Sequence, residues 1–203
     1  RRWADIAGLE YVNVQHQDET GLVRPEDYAA RVTPDVAVAT IIHASPVTGM
    51  GMDVAGISKA IRAVAPDCFI IVEGIQHAAH GQLDLDAYDV DGYAISPYKV
   101  FSRHGFGVAW ISDRLTMQPH DQWIDAPATG WEFGTRDTGA YATMSDVVAY
   151  FDWLGGEVSD AENPRQRIEA AGRAIHAYET HLTDTMINGT GNLPGLRDMP
   201  HVQ

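Results

Sequence analysis

Cysteine is all but missing: Cys68 is the only one in 203 residues. An intrachain disulfide framework is therefore excluded, and a reducing, cytoplasmic setting is expected. Cys68 opens an apolar run, so it reads as a small core hydrophobe rather than a reactive thiol. No apolar stretch approaches the length that crosses a bilayer, and the opening residues do not read as a signal peptide, so no membrane partner is expected. Positive charge is also short. Fourteen Lys and Arg face 28 Asp and Glu, a net charge of −14. Nucleic acid, whose phosphates demand Lys and Arg, is not an expected partner. Lysine itself is scarce, and neither an internal repeat nor a low-complexity tract is present. With 45% apolar and 21% charged residues, the composition suits a soluble globular protein with a core of its own.

The chemistry gathers between Cys68 and Gly107. Phe69-Ile70-Ile71-Val72 is a short apolar run that meets a carboxylate, Glu73. Such a run reads as a buried parallel strand carrying a charge at its carboxyl end, the edge where open α/β sheets bind ligands. Gly74, Gln76, His77 and His80 follow. A second strand, Gly92 to Ile95, then presents Ser96-Pro97-Tyr98-Lys99 and the loop Arg103-His104-Gly105-Phe106-Gly107. One carboxylate, one amide, hydroxyls and one lysine at neighbouring strand ends are what a pyridoxal 5'-phosphate site needs. The amine forms a Schiff base, the carboxylate keeps the pyridine nitrogen protonated, and hydroxyls hold the phosphate.

These blocks resemble the fold-type I pyridoxal-phosphate enzymes of aminotransferase class V, the cysteine desulfurase and selenocysteine lyase group above all. That group carries V-D-G-A-Q-x-x-x-H, then F-S-G-H-K, then a glycine-rich turn. Here Val72-Glu73-Gly74-Ile75-Gln76 with His80 is followed by Ile95-Ser96-Pro97-Tyr98-Lys99 and His104-Gly105-Phe106-Gly107-Val108, in the same order and spacing. The resemblance implies an α/β fold of three layers around a mainly parallel central sheet. Residues 1–160 would be the central and C-terminal part of the cofactor-binding large domain. Residues 161–203 would be a linking helix and the start of a small domain. Laid along the family, the chain covers its middle.

The resemblance also implies roles. Lys99 would be the Schiff-base lysine and Glu73 the acid at the ring nitrogen. Gln76 would bond the ring hydroxyl, and Ser96 and Tyr98 the phosphate. Trp131-Glu132-Phe133-Gly134-Thr135 is similar to the family's F-E-x-G-T, in which Gly134 and Thr135 would reach the partner's cofactor phosphate across a homodimer. His43 ends a strand, as a cofactor contact or a satisfied core residue. Among the departures from the family, Glu73 stands for Asp, Tyr98 for His and, where Ser45-Pro46-Val47-Thr48-Gly49 resembles the family's H-x-S-N-V-T-G, Pro46 for Asn.

The remaining expectations are structural. Leu9 to Gln15 alternates and predicts an outer strand. Pro25-Glu26-Asp27 opens a short helix, and Val36 to Ala44 is a central strand. Asp53 caps a helix over Val54 to Val64. Val108 to Ser112 is a further strand, and residues Leu115 to Gly130 form a loop. Helices are expected over Thr138 to Leu154 and Pro164 to Asn188. His77 and His80 invite a zinc reading if they share a helix, but no third ligand stands at a recognisable spacing, so no metal is expected. The expected function is a pyridoxal-phosphate enzyme acting on an amino acid, most like a cysteine desulfurase or lyase. A class V aminotransferase or an epimerase remains open, as does a non-catalytic scaffold that kept the fold.

Overall fold

The computed structural model describes residues 1–132, 134, 135 and 137–202. The chain divides into two compact units. The first comprises Arg1–His77, Asp84–Ser96 and Phe106–Arg136, the second Ala78–Leu83, Pro97–Gly105 and Asp137–Gln203.

In the first unit, α1 (Arg2–Ala7) ends at Gly8, whose φ of 67° is the left-handed cap that glycine takes without steric cost. Leu9 to Gln15 then runs without a ladder partner, contrary to the expected outer strand. Among the described residues no strand pairs with its alternation, and Tyr11 and Val12 stay exposed. Helix α2 (Pro25–Ala29) starts on a proline, with the Asp27 carboxylate accepting from the Arg24 N–H at 2.7 Å. It is tied to β1 (Val38–Ile42) by the Tyr28 hydroxyl, which donates to the Thr40 carbonyl at 2.9 Å.

Asp53 caps α3 (Val54–Val64), accepting from Gly56 N–H at 2.9 Å. The helix buries Val54, Ile57, Ser58 and Ile61, the stripe its spacing predicts. It is the crossover from β1 to β2 (Phe69–Glu73), which lies parallel to it with Ile42 opposite Glu73. On β2, Ile70 and Val72 are buried, whereas Phe69, Ile71 and Glu73 on the other face are half-buried. Helix α4 (Leu85–Tyr88) leads to β3 (Gly92–Ile95), parallel to β2, and β4 (Val108–Ile111) closes the sheet antiparallel to β3. The strand order is β1-β2-β3-β4. This is the mixed α/β architecture with a mainly parallel sheet that the sequence implied. A short helix, α5 (Asp113–Thr116), follows.

Asp91, just before β3, is buried and fully engaged. One carboxylate oxygen accepts from Arg62 at 2.8 Å, Arg114 at 2.7 Å and the Ile70 N–H at 2.9 Å. The other accepts from the Ser112 hydroxyl at 3.1 Å and Arg114 Nε at 3.0 Å. Burial pushes its pKa up, but the bonds from Arg114, Ile70 and Arg62 outweigh that and hold it at about 2.

The second unit holds α6 (Thr138–Val158) and α7 (Pro164–Asn188), a helical hairpin. Asp137 caps α6 and Asn163 caps α7, each through its side chain. Gly155 is required by close approach: a Cβ there would overlap the Arg167 backbone. Arg167 is in turn clamped by Asp152 at 2.7 and 3.0 Å. A small hairpin, β5 (Gly189–Thr190) with β6 (Leu193–Pro194), follows. No helix among the described residues is long and apolar enough to cross a membrane.

Removing the Asp91 carboxylate strands two arginines and a buried N–H, so Asp91→Ala is expected to lower stability by about 3 kcal/mol in urea unfolding. Asp91→Asn, which keeps an acceptor, is expected to lose less.

Candidate active site

The carboxyl ends of β1, β2 and β3 carry the candidates of the first unit. His43 follows β1, and its N–H donates to the Glu73 carbonyl at 2.8 Å. Glu73 ends β2 beside Ala94 of β3, and Ser96 lies one residue past the end of β3. The Glu73 Oε1 atom accepts from the Ile75 N–H at 2.7 Å, which curls the carboxylate over its own turn. Residues Ile75 to Ala79 form turns rather than a helix, with Gln76 half-buried among them.

His43 is only 5% exposed. Its Nδ1 lies 2.6 Å from the Tyr93 hydroxyl. His77 stacks on its ring at 3.6 Å with planes 14° apart, and Tyr88 meets its edge at 5.3 Å. Burial, then the neighbouring His77, drives the His43 pKa down to about 4. Burial, then Tyr88 and the Glu73 charge, pushes the Tyr93 phenol above its ordinary value. The phenol therefore keeps its proton, the imidazole is neutral, and the two share one hydrogen bond. Gly74 belongs to the same assembly, because a Cβ there would collide with the Tyr93 ring. Tyr93 escaped the sequence reading. Its signal is positional: a glycine one step past the acid of one strand faces an aromatic on the next.

In the loop after β1, Ser45 Oγ accepts from the N–H groups of Val47 and Thr48 at 3.2 Å, closing a turn around Pro46. Gly134 takes a φ of 86°, and Thr135 is exposed beside it. Phe133, in the same motif, lies outside the described residues.

Tyr98 and Lys99 belong to the second unit, on a single 3-10 turn, Pro97–Val100. The Tyr98 ring stacks on His104, with centroids 4.2 Å apart. Phe101 adopts a left-handed φ of 66°, uncommon for a side-chain-bearing residue, and packs on Tyr150 and Phe151. His80 bonds the Glu179 carboxylate at 2.8 and 3.0 Å. The zinc alternative needed His77 and His80 on one helix. His77 instead stacks on His43 and His80 instead pairs with α7.

Comparison with known proteins places this arrangement. The aminotransferase class-V family model matches residues 2–163. The chain belongs to that family. It is 26% identical over 193 residues to the cysteine desulfurase IscS of Acinetobacter baumannii (strain AYE), covering 92% of this chain and 42% of that protein. A probable cysteine desulfurase of Mycoplasma genitalium is 29% identical over 83 residues, 41% of this chain and 20% of that protein. The chain thus spans less than half the length of these relatives. Among solved structures, the apo cysteine desulfurase from Thermococcus onnurineus NA1 aligns with a TM-score of 0.67 at 17% identity. The alignment covers 91% of this chain and 46% of that one. The cysteine desulfurase CsdA from Escherichia coli aligns with a TM-score of 0.63 at 22% identity, covering 80% and 42%. These structural likenesses show the fold. The family is one of pyridoxal-phosphate enzymes.

His43 gives the site a pH signature. Its folded pKa of about 4 lies below the ordinary 6.5, so between those values the unfolded chain binds more protons. Its contribution is present above pH 6.5, falls as the pH drops through that window and is gone below about 4. His43→Gln is expected to flatten the stability profile there, by up to about 3 kcal/mol in denaturant titrations at pH 7 and 4.

Proposed function

We propose that the chain is the lysine-bearing part of a pyridoxal-phosphate enzyme that acts on an amino acid in the manner of a cysteine desulfurase or lyase. The observation that carries the reading is the family match over residues 2–163, together with Glu73 ending β2 and Ser96 following β3 on adjacent parallel strands. The donor set fits the cofactor. Glu73 is a half-buried carboxylate that accepts from the Ile75 N–H, and no salt bridge to it occurs among the described residues. Its neighbours His43 and Tyr93 are neutral. A protonated ring nitrogen would supply the positive charge that such a carboxylate lacks.

The residues divide the work. Lys99 is assigned the covalent hold on the aldehyde carbon, and its Nζ then the proton of the substrate's α carbon. The other lysine, Lys59, lies exposed on α3. Ser96 and Tyr98 are assigned the phosphate, Gln76 the ring hydroxyl, and His43 the support of the Glu73 turn. When bound, the cofactor supplies the electron sink that makes bonds at the α carbon labile. The family pattern further supports a homodimer in which Gly134 and Thr135 reach the partner's phosphate, and the single cysteine favours a cytoplasmic setting. The family pattern also supports a division into residues 1–160 of a large domain and 161–203 of a linking helix and small domain.

Specific features favour a second reading, a scaffold that kept the fold without the chemistry. Glu73 already caps its own turn, Pro46 offers no donor, and Tyr98 lies stacked on His104. Full-length protein with pyridoxal 5'-phosphate is expected to show the absorbance of the protonated Schiff base. Borohydride is expected to fix the added mass on Lys99, and Lys99→Ala to lose both. A protein that stays colourless and unmodified at Lys99 would establish the scaffold reading.

A further inference from the structure

We infer that Tyr93 is a positioning residue for Glu73: its hydroxyl holds His43 and its ring occupies the space at Gly74, so that the end of β2 turns at one fixed place. This rests on the reading of Glu73 as the acid at the cofactor's ring nitrogen and deepens it. Tyr93 pairs with Val72, so its side chain leaves the sheet on the face opposite Glu73. It therefore acts on the backbone that carries the carboxylate, and the carboxylate itself stays open to a ligand.

The peptide unit between Glu73 and Gly74 is held from both neighbouring strands. Its C=O accepts from the His43 N–H at 2.8 Å, and its N–H donates to the Ala94 C=O at 2.9 Å. A Cβ on Gly74 would fall on Cε1, Cζ and the hydroxyl oxygen of Tyr93, so the ring lies directly against the turn. The hydroxyl reaches His43 Nδ1 at 2.6 Å, and Tyr88 lies along the ring with centroids 6.1 Å apart and planes 23° apart. Buried His43 is thus tied to Tyr93 by its side chain and to Glu73 by its amide. A phenylalanine would fill the same space and leave the buried Nδ1 without that partner, so the hydroxyl is the specific element. What freedom remains to Glu73 is its own side chain, and Oε1 turns that back to the Ile75 N–H at 2.7 Å. An acid serves a bound ring only if it stands within about 0.5 Å of its productive place, and fixing the strand end fixes where this one starts.

Two measurements on full-length protein decide it. The first needs no cofactor: hydrogen exchange of the Ile75 amide, referred to the Gly56 amide that Asp53 holds at the start of α3. Tyr93→Phe is expected to lower Ile75 protection about fivefold against Gly56, the worth of one neutral hydrogen bond. A residue that only fills the core would leave that ratio alone. The second compares pyridoxal 5'-phosphate with its 1-deaza analogue, which carries C–H in place of the ring nitrogen, by equilibrium dialysis. Glu73→Gln is expected to abolish the parent's preference for the nitrogen, and Tyr93→Phe to reduce it about threefold. An unmoved Ile75 ratio, or equal weakening of both ligands by Tyr93→Phe, overturns the inference. If Tyr93→Phe does not fold, His43→Leu removes the same bond from the other side and decides by the same two readouts. A parent protein with no preference between the two ligands would sink the reading of Glu73, while the exchange ratio would still decide whether Tyr93 holds the turn.

Discussion

The Asp91 carboxylate receives Arg62 from α3, Arg114 and Ser112 from the corner after β4, and the Ile70 N–H from β2. Four parts of the first unit therefore meet at one buried acid. Burying that charge is costly unless it is paired and its lone pairs are filled, and both conditions hold here. The consequence is register. With Asp91 bonded to Ile70, Gly92 pairs with Ile71, and Glu73 comes to lie beside Ala94 with Ser96 two residues further on. A slip of one residue would turn every side chain of β3 to the opposite face. An acid remote from the chemistry thus decides which side chains line the strand ends.

Much of this was legible in the sequence because local and global signals agreed. Asp53 before an apolar stripe of helical spacing predicted α3 to the residue, and the helix expected over Pro164 to Asn188 is α7 with the same bounds. The apolar run ending in Glu73 and the short run before Ser96 gave β2 and β3. The expected strand over Leu9 to Gln15 failed for a physical reason: alternation records a tendency, but a strand exists only where another backbone accepts its hydrogen bonds. The charge network around Asp91 was hidden because its members lie 21 to 29 residues apart, with nothing local to announce them. Tyr93 was hidden likewise. Its role emerges only once β3 lies next to β2 and brings the phenol to His43.

The Glu73 departure from the family pattern makes sense once that neighbourhood is known. Glutamate is one methylene longer than aspartate, and the surplus length is taken up where Oε1 turns back to the Ile75 N–H. That turn is held from the other side. Gly74 leaves room for the Tyr93 ring, Tyr93 bonds His43, and His77 of the same turn stacks on His43. At its centre the His43–Tyr93 pair is polar yet uncharged, because burial keeps both the imidazole and the phenol neutral. It can therefore fix the Glu73 turn without neutralising Glu73. Had His43 kept an ordinary pKa, partial protonation near neutral pH would have placed a competing cation beside the acid. A buried, neutral brace leaves the carboxylate's charge for whatever cation comes to the strand ends, which is what an acid facing a protonated ring nitrogen requires.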